Sequence, residues 1–423
     1  MKVLIVGSGG REHAIASKVR HDAPESTVFC APGNAGTAAI ATNVAIDADN
    51  VEALARWAEQ NRPDLTIVGP EAPLCLGLVD TLQNLGLRAF GPTADAARME
   101  GSKRFAKEIM HAAQVPTARS VITRTETEAR TAIAEIGIPV VLKADGIAAG
   151  KGVSVCMNDE EVETAIQTMF VDQVFGAAAN EVLVEEFLEG EEASILAFID
   201  GETIIPLASS QDHKRLRNDD EGPNTGGMGA YCPAPCVTKD MMAVVVGQVF
   251  KPVVAELKAR GITYKGILYA GLMLTKNGPK VLEFNCRFGD PETQCVLPRM
   301  ESSLVEAMQA CIDGTLANVN IRWRDGACVC VVMVSGGYPG TFEKGTPIDG
   351  LEEAAAMENV QVFHGGTKLM NDVVVTTGGR VLGVTAIGDT LEEAVARAYQ
   401  TVLKIKFNGA EYRTDIAHRA LKN

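Results

Sequence analysis

Two residues with oxygen-bearing side chains lie two positions apart near the end of an apolar segment. The Asn277-Gly278 pair predicts a hairpin that joins the apolar run 267–275 to the strand carrying Glu283 and Asn285. Because side chains alternate along a strand, Glu283 and Asn285 should face the same side, and Arg287 joins them if the strand continues. Such oxygen ligands suit Mg²⁺ bound between protein and nucleotide phosphates, and the arginine suits a transferring phosphoryl group. The alternative is a solvated edge strand.

A lysine followed by a glycine-rich segment forms a second candidate site. Lys143 ends an apolar strand, and the segment 145–152 follows it. That segment contains three glycines and a second lysine, namely Gly146, Gly150, Lys151 and Gly152. Glycines let backbone N–H groups approach phosphate oxygens, and two lysines can neutralise a triphosphate. A predicted strand at 153–156 follows instead of a helix, so this is not a P-loop. A solvent-exposed hairpin loop is the alternative.

The N-terminal strand 2–6 ends in a third glycine-rich turn, Gly7-Ser8-Gly9-Gly10. Glu12 replaces the third glycine of the dinucleotide fingerprint, and no acidic residue closes the second strand, so the pattern disfavours NAD. Free N–H groups at the start of the following helix, with Arg11 beside them, predict a site for one phosphate. A tight turn without a ligand is the alternative.

A long polar stretch, residues 211–229, is predicted to be a loop that is either functional or disordered. It contains His213, which could act as a general base. A single histidine is more often structural, so both interpretations stay open.

The elements that must position these residues fall into three regions. Residues 1–102 alternate strand and helix, which predicts a parallel sheet with helices on both faces. The pattern changes from about residue 102 onward. A junction near 317–326 precedes a β-rich tail, residues 326–423. The chain is therefore predicted to be a multidomain α/β protein.

Composition excludes several classes of function. The net charge is −15, which disfavours a nucleic-acid or anionic-membrane surface. The ten cysteines form no CxxC pair, so free thiols in a reducing compartment are favoured over zinc or disulfides. No apolar stretch approaches the length of a membrane span, and the N-terminal run is too short for a signal peptide. We therefore expect a cytoplasmic protein.

Several segments together resemble the ATP-grasp ligases and, within them, the phosphoribosylamine–glycine ligase family. The segments are Gly7–Ala14, Pro32–Gly36, Lys143–Gly146, Gly150–Val153, Gln211–Arg215, Asn224–Gly229, Arg287–Glu292 and Ser335–Pro339. The Arg-Phe-Gly-Asp-Pro-Glu segment is the most specific, and the first glycine turn is the least. The resemblance implies an ATP-grasp fold over residues 103–316, with a small lid subdomain at about 120–190, between the N-terminal α/β domain and the C-terminal β-rich domain.

The resemblance also implies an ATP site with Mg²⁺ or Mn²⁺. The residues expected to contact ATP are Lys103, Lys143, Gly146, Gly150, Lys151, Gly152, Glu185, Glu186, Phe187, Leu188 and Glu192. Glu283 and Asn285 would hold the metal. The first strand of the hairpin lacks an acidic residue that many ATP-grasp enzymes have there, so the number of metal ions stays open.

The implied reaction joins glycine to phosphoribosylamine through glycyl phosphate, with the protein as a monomer or homodimer. The residues expected to bind these substrates are Gly9, Gly10, Arg11, Asp212, Asn224, Thr225, Gly226, Gly227, Arg287 and Asp290. Arg287, Lys143 and Asp212 are the expected catalytic residues. Another ATP-grasp ligase or carboxylase, or a non-catalytic nucleotide-binding protein, is the alternative. A nucleotide sensor should have lost Glu283 or Asn285, and both are present.

Overall fold

A computed structural model describes residues 1–146, 152–172, 174, 176 and 180–421. The N-terminal domain is a five-stranded parallel sheet in the order β3-β2-β1-β4-β5. Its strands are β1 (Lys2–Gly7), β2 (Thr27–Pro32), β3 (Thr42–Asn43), β4 (Leu65–Val68) and β5 (Ala89–Phe90). Its helices are α1 (Gly10–Asp22), α2 (Ala35–Ile40), α3 (Val51–Asn61), α4 (Glu71–Cys75), α5 (Leu78–Asn84) and α6 (Ala94–Gly101). The glycine turn therefore lies between β1 and α1, as predicted.

Helix α7 (Lys103–Ala112) leads into a small antiparallel sheet in the order β6-β9-β7-β8. Its strands are β6 (Ser120–Thr123), β7 (Val140–Ala144), β8 (Val153–Cys156) and β9 (Val182–Glu186). Helices α8 (Glu126–Ile136) and α9 (Asp159–Ile166) cover one face, and they share an apolar core with the sheet. Lys143 lies on β7, so its position is set by the two neighbouring strands.

Eight further strands follow, six before α10 and two after α11, and they contribute to three sheets. The strands are β10 (Glu191–Asp200), β11 (Ile204–Pro206), β12 (Gln211–Asp212), β13 (Arg215–Arg217), β14 (Glu221–Asn224), β15 (Gly229–Cys232), β16 (Lys265–Thr275) and β17 (Gly278–Asn285). The helices are α10 (Lys239–Val245), α11 (Lys251–Ala259), α12 (Glu292–Val296) and α13 (Leu304–Asp313). The central sheet has the order β11-β10-β16-β17, and the predicted hairpin forms its last two strands.

The polar stretch 211–229 is not one long loop, and this part of the prediction is wrong. Strands β13 and β14 pair with each other, while β12 and β15 pair into the C-terminal sheet. The other partner of β15 is β18 (Ala327–Ser335), about a hundred residues further along the chain, so local sequence carried no signal for this pairing. The polar side chains are therefore held on a β scaffold.

The C-terminal domain is built on an antiparallel sheet in the order β12-β15-β18-β22-β19. Its own strands in this sheet are β18 (Ala327–Ser335), β19 (Val360–His364), β22 (Arg380–Gly388) and β23 (Ala410–Glu411), the last of which pairs with β18. A separate hairpin consists of β20 (Thr367–Met370) and β21 (Val373–Thr376). Its helices are α14 (Leu351–Ala355), α15 (Leu391–Val402) and α16 (His418–Leu421). Strand β18 is buried along its whole length because it pairs on both sides and α15 packs over it.

An aromatic cluster joins the N-terminal and central sheets beneath the candidate site. The ring of Phe198 lies 5.9 Å from that of Phe90 and 6.1 Å from that of Phe288, and both contacts are edge-on. All three side chains are buried. Phe288 belongs to the segment that follows β17, so this cluster fixes where that segment leaves the sheet. Among the described residues, no helix has the length and apolar character needed to cross a membrane.

Replacing Phe198 by alanine should remove this anchor. We expect Phe198→Ala to lower the free energy of unfolding by about 3–5 kcal/mol, because a large buried ring leaves a cavity between two sheets. Urea denaturation followed by tryptophan fluorescence and circular dichroism measures the effect. Val121→Ala, at an exposed position of β6, is the control and should change stability by less than about 0.5 kcal/mol. Equal stability of the two variants would contradict the assigned role of the cluster.

Candidate active site

The two predicted metal ligands lie on one side of β17. Glu283 pairs with Gly271 and Asn285 with Tyr269, while Phe284 between them is buried on the opposite face. Burial alone would raise the pKa of Glu283, but Lys214, Lys143 and Lys103 lower it. The carboxylate is therefore held ionised beside a group of cations. A methyl group added at Gly271, directly across the hairpin, would lie 3.4 Å from Cγ of Glu283.

Two buried lysines share one buried carboxylate behind this strand. Nζ of Lys143 lies 2.8 Å from Oε2 of Glu185, and Nζ of Lys107 lies 3.1 Å from Oε1. Lys143 also donates a hydrogen bond to the carbonyl of Leu282, at 3.1 Å, immediately before Glu283. Burial would raise the pKa of Glu185, but the two lysines lower it. Glu185 thus balances the charge of the lysines when no phosphate is bound.

Lys103 is placed by the start of the glycine segment. The carboxylate of Asp145 accepts from the N–H of Arg104, at 2.6 Å, and from the hydroxyl of Ser102, so it caps the first turn of α7. Nζ of Lys103 then reaches the carbonyl of Gly146 at 3.0 Å. Burial lowers the pKa of Lys103, and Glu283 opposes that shift. Gly146 is therefore in contact with Lys103, one of the lysines predicted to bind phosphate.

The other predicted nucleotide residues that the structure describes lie on or next to β8, β9 and β10. Glu186 accepts a hydrogen bond from Nζ of Lys280 at 2.8 Å. Leu188 is buried against Met273, and Phe187, which precedes it in the chain, is half-buried. Glu192 forms an ion pair with Lys214 at 2.8 Å. Gly152 is buried, and its carbonyl accepts from the N–H of Ala144. The predicted residues Gly150 and Lys151 lie outside the described residues.

Arg287 is held by residues from both sheets. Its guanidinium contacts Oε1 of Glu100 at 2.9 Å, Oε2 of Glu71 at 3.3 Å and Oδ1 of Asn285 at 3.0 Å. Burial raises the pKa of Glu100, and the neighbouring Glu71 adds to that increase, whereas Arg287 opposes it. Burial would lower the pKa of Arg287, but the two carboxylates raise it, so this residue stays a cation. Strand β17 ends at Asn285, yet Arg287 remains on the side of the predicted metal ligand.

The glycine turn before α1 is organised by Glu12. Its carboxylate accepts from the N–H of Gly9 at 2.6 Å and pairs with Nε of Arg11 at 2.5 Å. Arg11 also donates to the carbonyl of Phe288 at 3.1 Å. A methyl group added at Gly9 would lie 3.4 Å from Oδ2 of Asp290, and one at Gly10 would collide with the amide of Gln294. The turn and the segment 288–294 therefore form one surface.

The polar hairpin carries the remaining predicted substrate residues. Asp212 on β12 is buried, and burial raises its pKa to about 7 although Lys214 opposes the shift. Thr225 donates to the carbonyl of Lys214 and accepts from the N–H of Gly227. The carbonyl of Gly226 accepts from Arg380 of the C-terminal domain. Asn224 ends β14, opposite Arg215.

His213 is not placed as a general base. Its ring is fully buried against Tyr231 and His418, and burial together with Arg413 lowers its pKa to about 3. Its Nε2 accepts from the backbone N–H of Ala417 at 3.3 Å. The structural interpretation of His213 is therefore the better one, because the ring anchors the chain terminus.

The donor set suits a magnesium-like ion that is shared with a nucleotide. Among the described residues, no group of three or more histidine, cysteine, aspartate or glutamate side chains could hold a metal on its own. Glu283 and Asn285 offer two oxygen ligands, and hard divalent ions that keep water and phosphate ligands need no more from the protein.

Sequence reasoning missed five charged residues of the site: Glu71, Glu100, Lys107, Lys214 and Arg380. Glu71 follows the Gly69-Pro70 turn after β4, and Lys214 lies within the segment Gln211–Arg215. The local sequence therefore carried a signal for these two residues. The others come from helices or from a distant strand. Only the folded chain brings them to Arg287, Glu185 and Asp290.

Gly227 has a backbone conformation and a contact that a side chain would disturb. Its φ is +111°, and a methyl group there would lie 2.4 Å from Cδ of Pro291. Gly227→Ala should therefore destabilise the protein by about 1–3 kcal/mol, measured by thermal denaturation. Gly247→Ala is the control, because an added methyl group there meets no atom within 4 Å. The assignment is wrong if both variants melt at the wild-type temperature.

Comparison with known proteins identifies the family. Models of the N, ATP-grasp (A) and C domains of phosphoribosylglycinamide synthetase match residues 1–100, 101–293 and 328–419. A phosphoribosylamine–glycine ligase of Pseudomonas aeruginosa is 52% identical over 427 residues, covering 100% of this chain and 98% of that protein.

Solved structures agree with the sequence relatives. The crystal structure of a phosphoribosylamine–glycine ligase from Thermotoga maritima superposes with a TM-score of 0.85 and 34% identity, over 99% of this chain and 100% of that one. A biotin carboxylase from Campylobacter jejuni, with a TM-score of 0.74 and 15% identity over 100% and 95% of the two chains, shares the fold alone. The predicted three-part α/β architecture and the predicted family are confirmed. The chain belongs to the phosphoribosylglycinamide synthetase family of ATP-grasp enzymes.

Proposed function

We propose that the protein is an ATP-dependent ligase that joins glycine to 5-phosphoribosylamine, giving glycinamide ribonucleotide, ADP and phosphate, a step of purine biosynthesis. The observation that carries this proposal is similarity to phosphoribosylamine–glycine ligases along the entire chain, at about half identity. The candidate site supports it, because four cations, Lys214, Lys143, Lys103 and Arg287, surround the carboxylate of Glu283.

The reaction is proposed to take two steps. A carboxylate oxygen of glycine attacks the γ-phosphorus of ATP, the bond to ADP breaks, and glycyl phosphate forms. The amine of phosphoribosylamine then attacks the acyl carbon, phosphate leaves, and the nitrogen loses a proton. Such chemistry depends on positioning and charge stabilisation. Arg287 and Lys143 are proposed to stabilise the transferring phosphoryl group, since Lys143 is buried, the side chain of Arg287 is 16% exposed, and both are cations that lower the pKa of Glu283.

ATP is proposed to bind between the small sheet and the central sheet. Lys103, Lys143 and the segment 146–152 would contact its phosphates. Glu185 to Leu188 would line the base, and Glu192 would accept from the ribose hydroxyls. The Lys143–Glu185 pair supports this placement, because it holds a charge-balanced lysine of the small sheet close to Glu283 of the central sheet.

Glu283 and Asn285 are proposed to hold Mg²⁺ or Mn²⁺. The ion would neutralise phosphate charge during transfer. Oδ1 of Asn285 accepts a hydrogen bond from Arg287. The proposed ion and the guanidinium would therefore share this amide oxygen. The ion and the guanidinium would therefore act on the same phosphoryl group.

The substrates are proposed to bind on the far side of this cleft. Gly9, Gly10 and Arg11 would face the sugar phosphate, with Asp290 beside them. Thr225 to Gly227 and Arg287 would lie at glycine. Asp212 and Asn224 would orient the amine, and Asp212 is proposed to accept its proton, since it is a buried carboxylate next to the cation Lys214.

We also propose the class of ligand, the cellular location, the oligomeric state and the division into domains. The net charge of −15 supports a protein that binds small substrates rather than nucleic acid or membranes. A cytoplasmic location and a monomer or homodimer fit this function. The division into residues 1–102, 103–316 and 326–423 assigns ATP binding to the middle unit.

Phosphate release tests the function directly. The full-length protein is incubated with MgATP, glycine and phosphoribosylamine generated in place from ribose 5-phosphate and ammonia, and each component is omitted in turn. Release should require all three, because the acyl phosphate forms and is consumed only in the complete complex. Release without the amine substrate, or with bicarbonate replacing glycine, would contradict the proposed reaction.

Removal of the metal carboxylate should stop the chemistry while leaving the fold intact. We expect Glu283→Ala to lower kcat by at least about 100-fold, because the developing phosphate charge loses its metal ligand. Steady-state phosphate release at saturating Mg²⁺ measures this loss. Glu202→Ala, an exposed carboxylate on the β10–β11 turn of the same sheet, should retain wild-type kcat. A Glu283 variant with more than a tenth of wild-type kcat would rule out Glu283 as a metal ligand.

A further inference from the structure

Two cysteines lie together next to the proposed catalytic arginine. Cys75 ends α4, and Cys286 lies in the chain between the proposed metal ligand Asn285 and Arg287. The thiols of Cys75 and Cys286 form a hydrogen bond with each other. Both side chains belong to one apolar cluster, in which Cys286 is buried and Cys75 is partly buried. Neither sulfur takes part in the proposed reaction.

The last turn of α6 brings both sulfur atoms to one place. Sγ of Cys286 lies 3.2 Å from Oε2 of Glu100, and Sγ of Cys75 lies 3.8 Å from the carbonyl oxygen of Ala97. A methyl group added at Gly101 would lie 2.9 Å from Sγ of Cys75, so the glycine leaves room for this thiol. Cysteines whose sulfurs already touch can be bridged with small shifts of the backbone.

Cys75 is the member of the pair that a small oxidant can reach. All ten cysteines lie in the described part of the chain, and eight of them are buried, whereas Cys75 and Cys236 are partly exposed. The hydrogen bond from Cys286 lowers the pKa of Cys75, although burial and two nearby carboxylates oppose that shift. Burial raises the pKa of Cys236 to about 12. Because the thiolate is the form that attacks an oxidant, Cys75 should react before Cys236.

Two carboxylates connect the cysteine pair to Arg287. Glu71 begins the short helix that Cys75 ends, and its Oε2 lies 3.3 Å from Nε of Arg287. Glu100 accepts from the N–H of Cys286 at 2.7 Å through Oε2, and from Nη2 of Arg287 at 2.9 Å through Oε1. A change at either sulfur therefore reaches the groups that hold the guanidinium.

We propose that a peroxide converts Cys75 and Cys286 into a disulfide and that this modification lowers the turnover of the neighbouring site. The sulfur of Cys75 attacks one oxygen of hydrogen peroxide, the O–O bond breaks, and a sulfenic acid and one water form. The thiol of Cys286 then attacks that sulfur, the S–O bond breaks, and a second water leaves with the thiol proton. The two thiols together lose two electrons and two protons, and the peroxide is reduced to water.

The disulfide would draw the sulfur of Cys286 towards α4 and away from Glu100. Because Cys286 lies between Asn285 and Arg287, its backbone moves together with theirs. A displacement of about 1 Å in a catalytic site can cost about 100-fold in rate, so we expect turnover to fall by at least about 10-fold. This effect rests on the proposed function, whereas formation of the disulfide does not. A small thiol would restore both cysteines by exchange.

Peptide mapping tests the pair directly. The reduced full-length protein is treated with hydrogen peroxide, free thiols are blocked with N-ethylmaleimide, and the unreduced digest is analysed by mass spectrometry. Two peptides joined through Cys75 and Cys286 should appear as phosphate release from MgATP, glycine and phosphoribosylamine falls by at least about 10-fold. Dithiothreitol should remove the crosslink and restore release.

Two serine variants separate this pair from other oxidation. Cys75→Ser keeps a hydrogen-bonding side chain of similar size, and it should retain phosphate release both before and after peroxide treatment. Cys236→Ser removes the other partly exposed thiol, and peroxide should inactivate this variant as it does the wild type. Equal peroxide sensitivity of Cys75→Ser and the wild type would overturn the inference.

The outcomes distinguish this inference from the proposed function. Absence of the crosslink in the peroxide-treated wild type overturns the inference, and so does a crosslink that leaves phosphate release unchanged. Absence of release before peroxide is added overturns the proposed function and, with it, the effect on turnover. The crosslink then still decides whether the two cysteines form the pair.

Discussion

The buried contact of Arg287 with Glu71, Glu100 and Asn285 is the constraint on which the site depends. Two of these carboxylates come from the N-terminal domain, and the amide comes from the central sheet. A buried cation without partners would be very unfavourable, so the two sheets must meet at this residue. The same carboxylate of Glu100 accepts from the N–H of Cys286 at 2.7 Å, which fixes the end of β17. The position of the proposed metal ligand follows from that contact.

Charge balance also explains how the cleft holds several like charges before any ligand binds. Lys107 and Lys143 share Glu185, Lys214 is paired with Glu192, and Arg380 with Asp290. Each of these four cations thus has a carboxylate partner. An incoming triphosphate would add negative charge to a network that already contains cations and carboxylates. Binding would therefore require these cations to exchange a carboxylate partner for a phosphate, and no new cation would have to move into the site.

The predicted and observed positions of site residues agree where those positions depend only on neighbouring residues in the chain. The glycine turn after β1, the hairpin that carries Glu283 and Asn285, and Lys143 at the end of its strand were all predicted from neighbours in the chain. The polar stretch 211–229 was misjudged, because β12 pairs with β15 and β15 finds its other partner in the distant strand β18. His213 carried a catalytic signal in its residue type, and its burial beneath the chain terminus removed that interpretation.

The sequence by itself determined the family, the α/β class and the residue types that can hold phosphate and a divalent ion, since these are encoded in short motifs with fixed spacing. Only the tertiary structure decided which charges meet. Glu100 is separated from Arg287 by 187 residues, most of the central unit, and Arg380 lies ninety residues beyond Asp290. No local pattern specifies such pairs. They form because each buried charge needs a partner, and the packing of three sheets determines which partner is within reach.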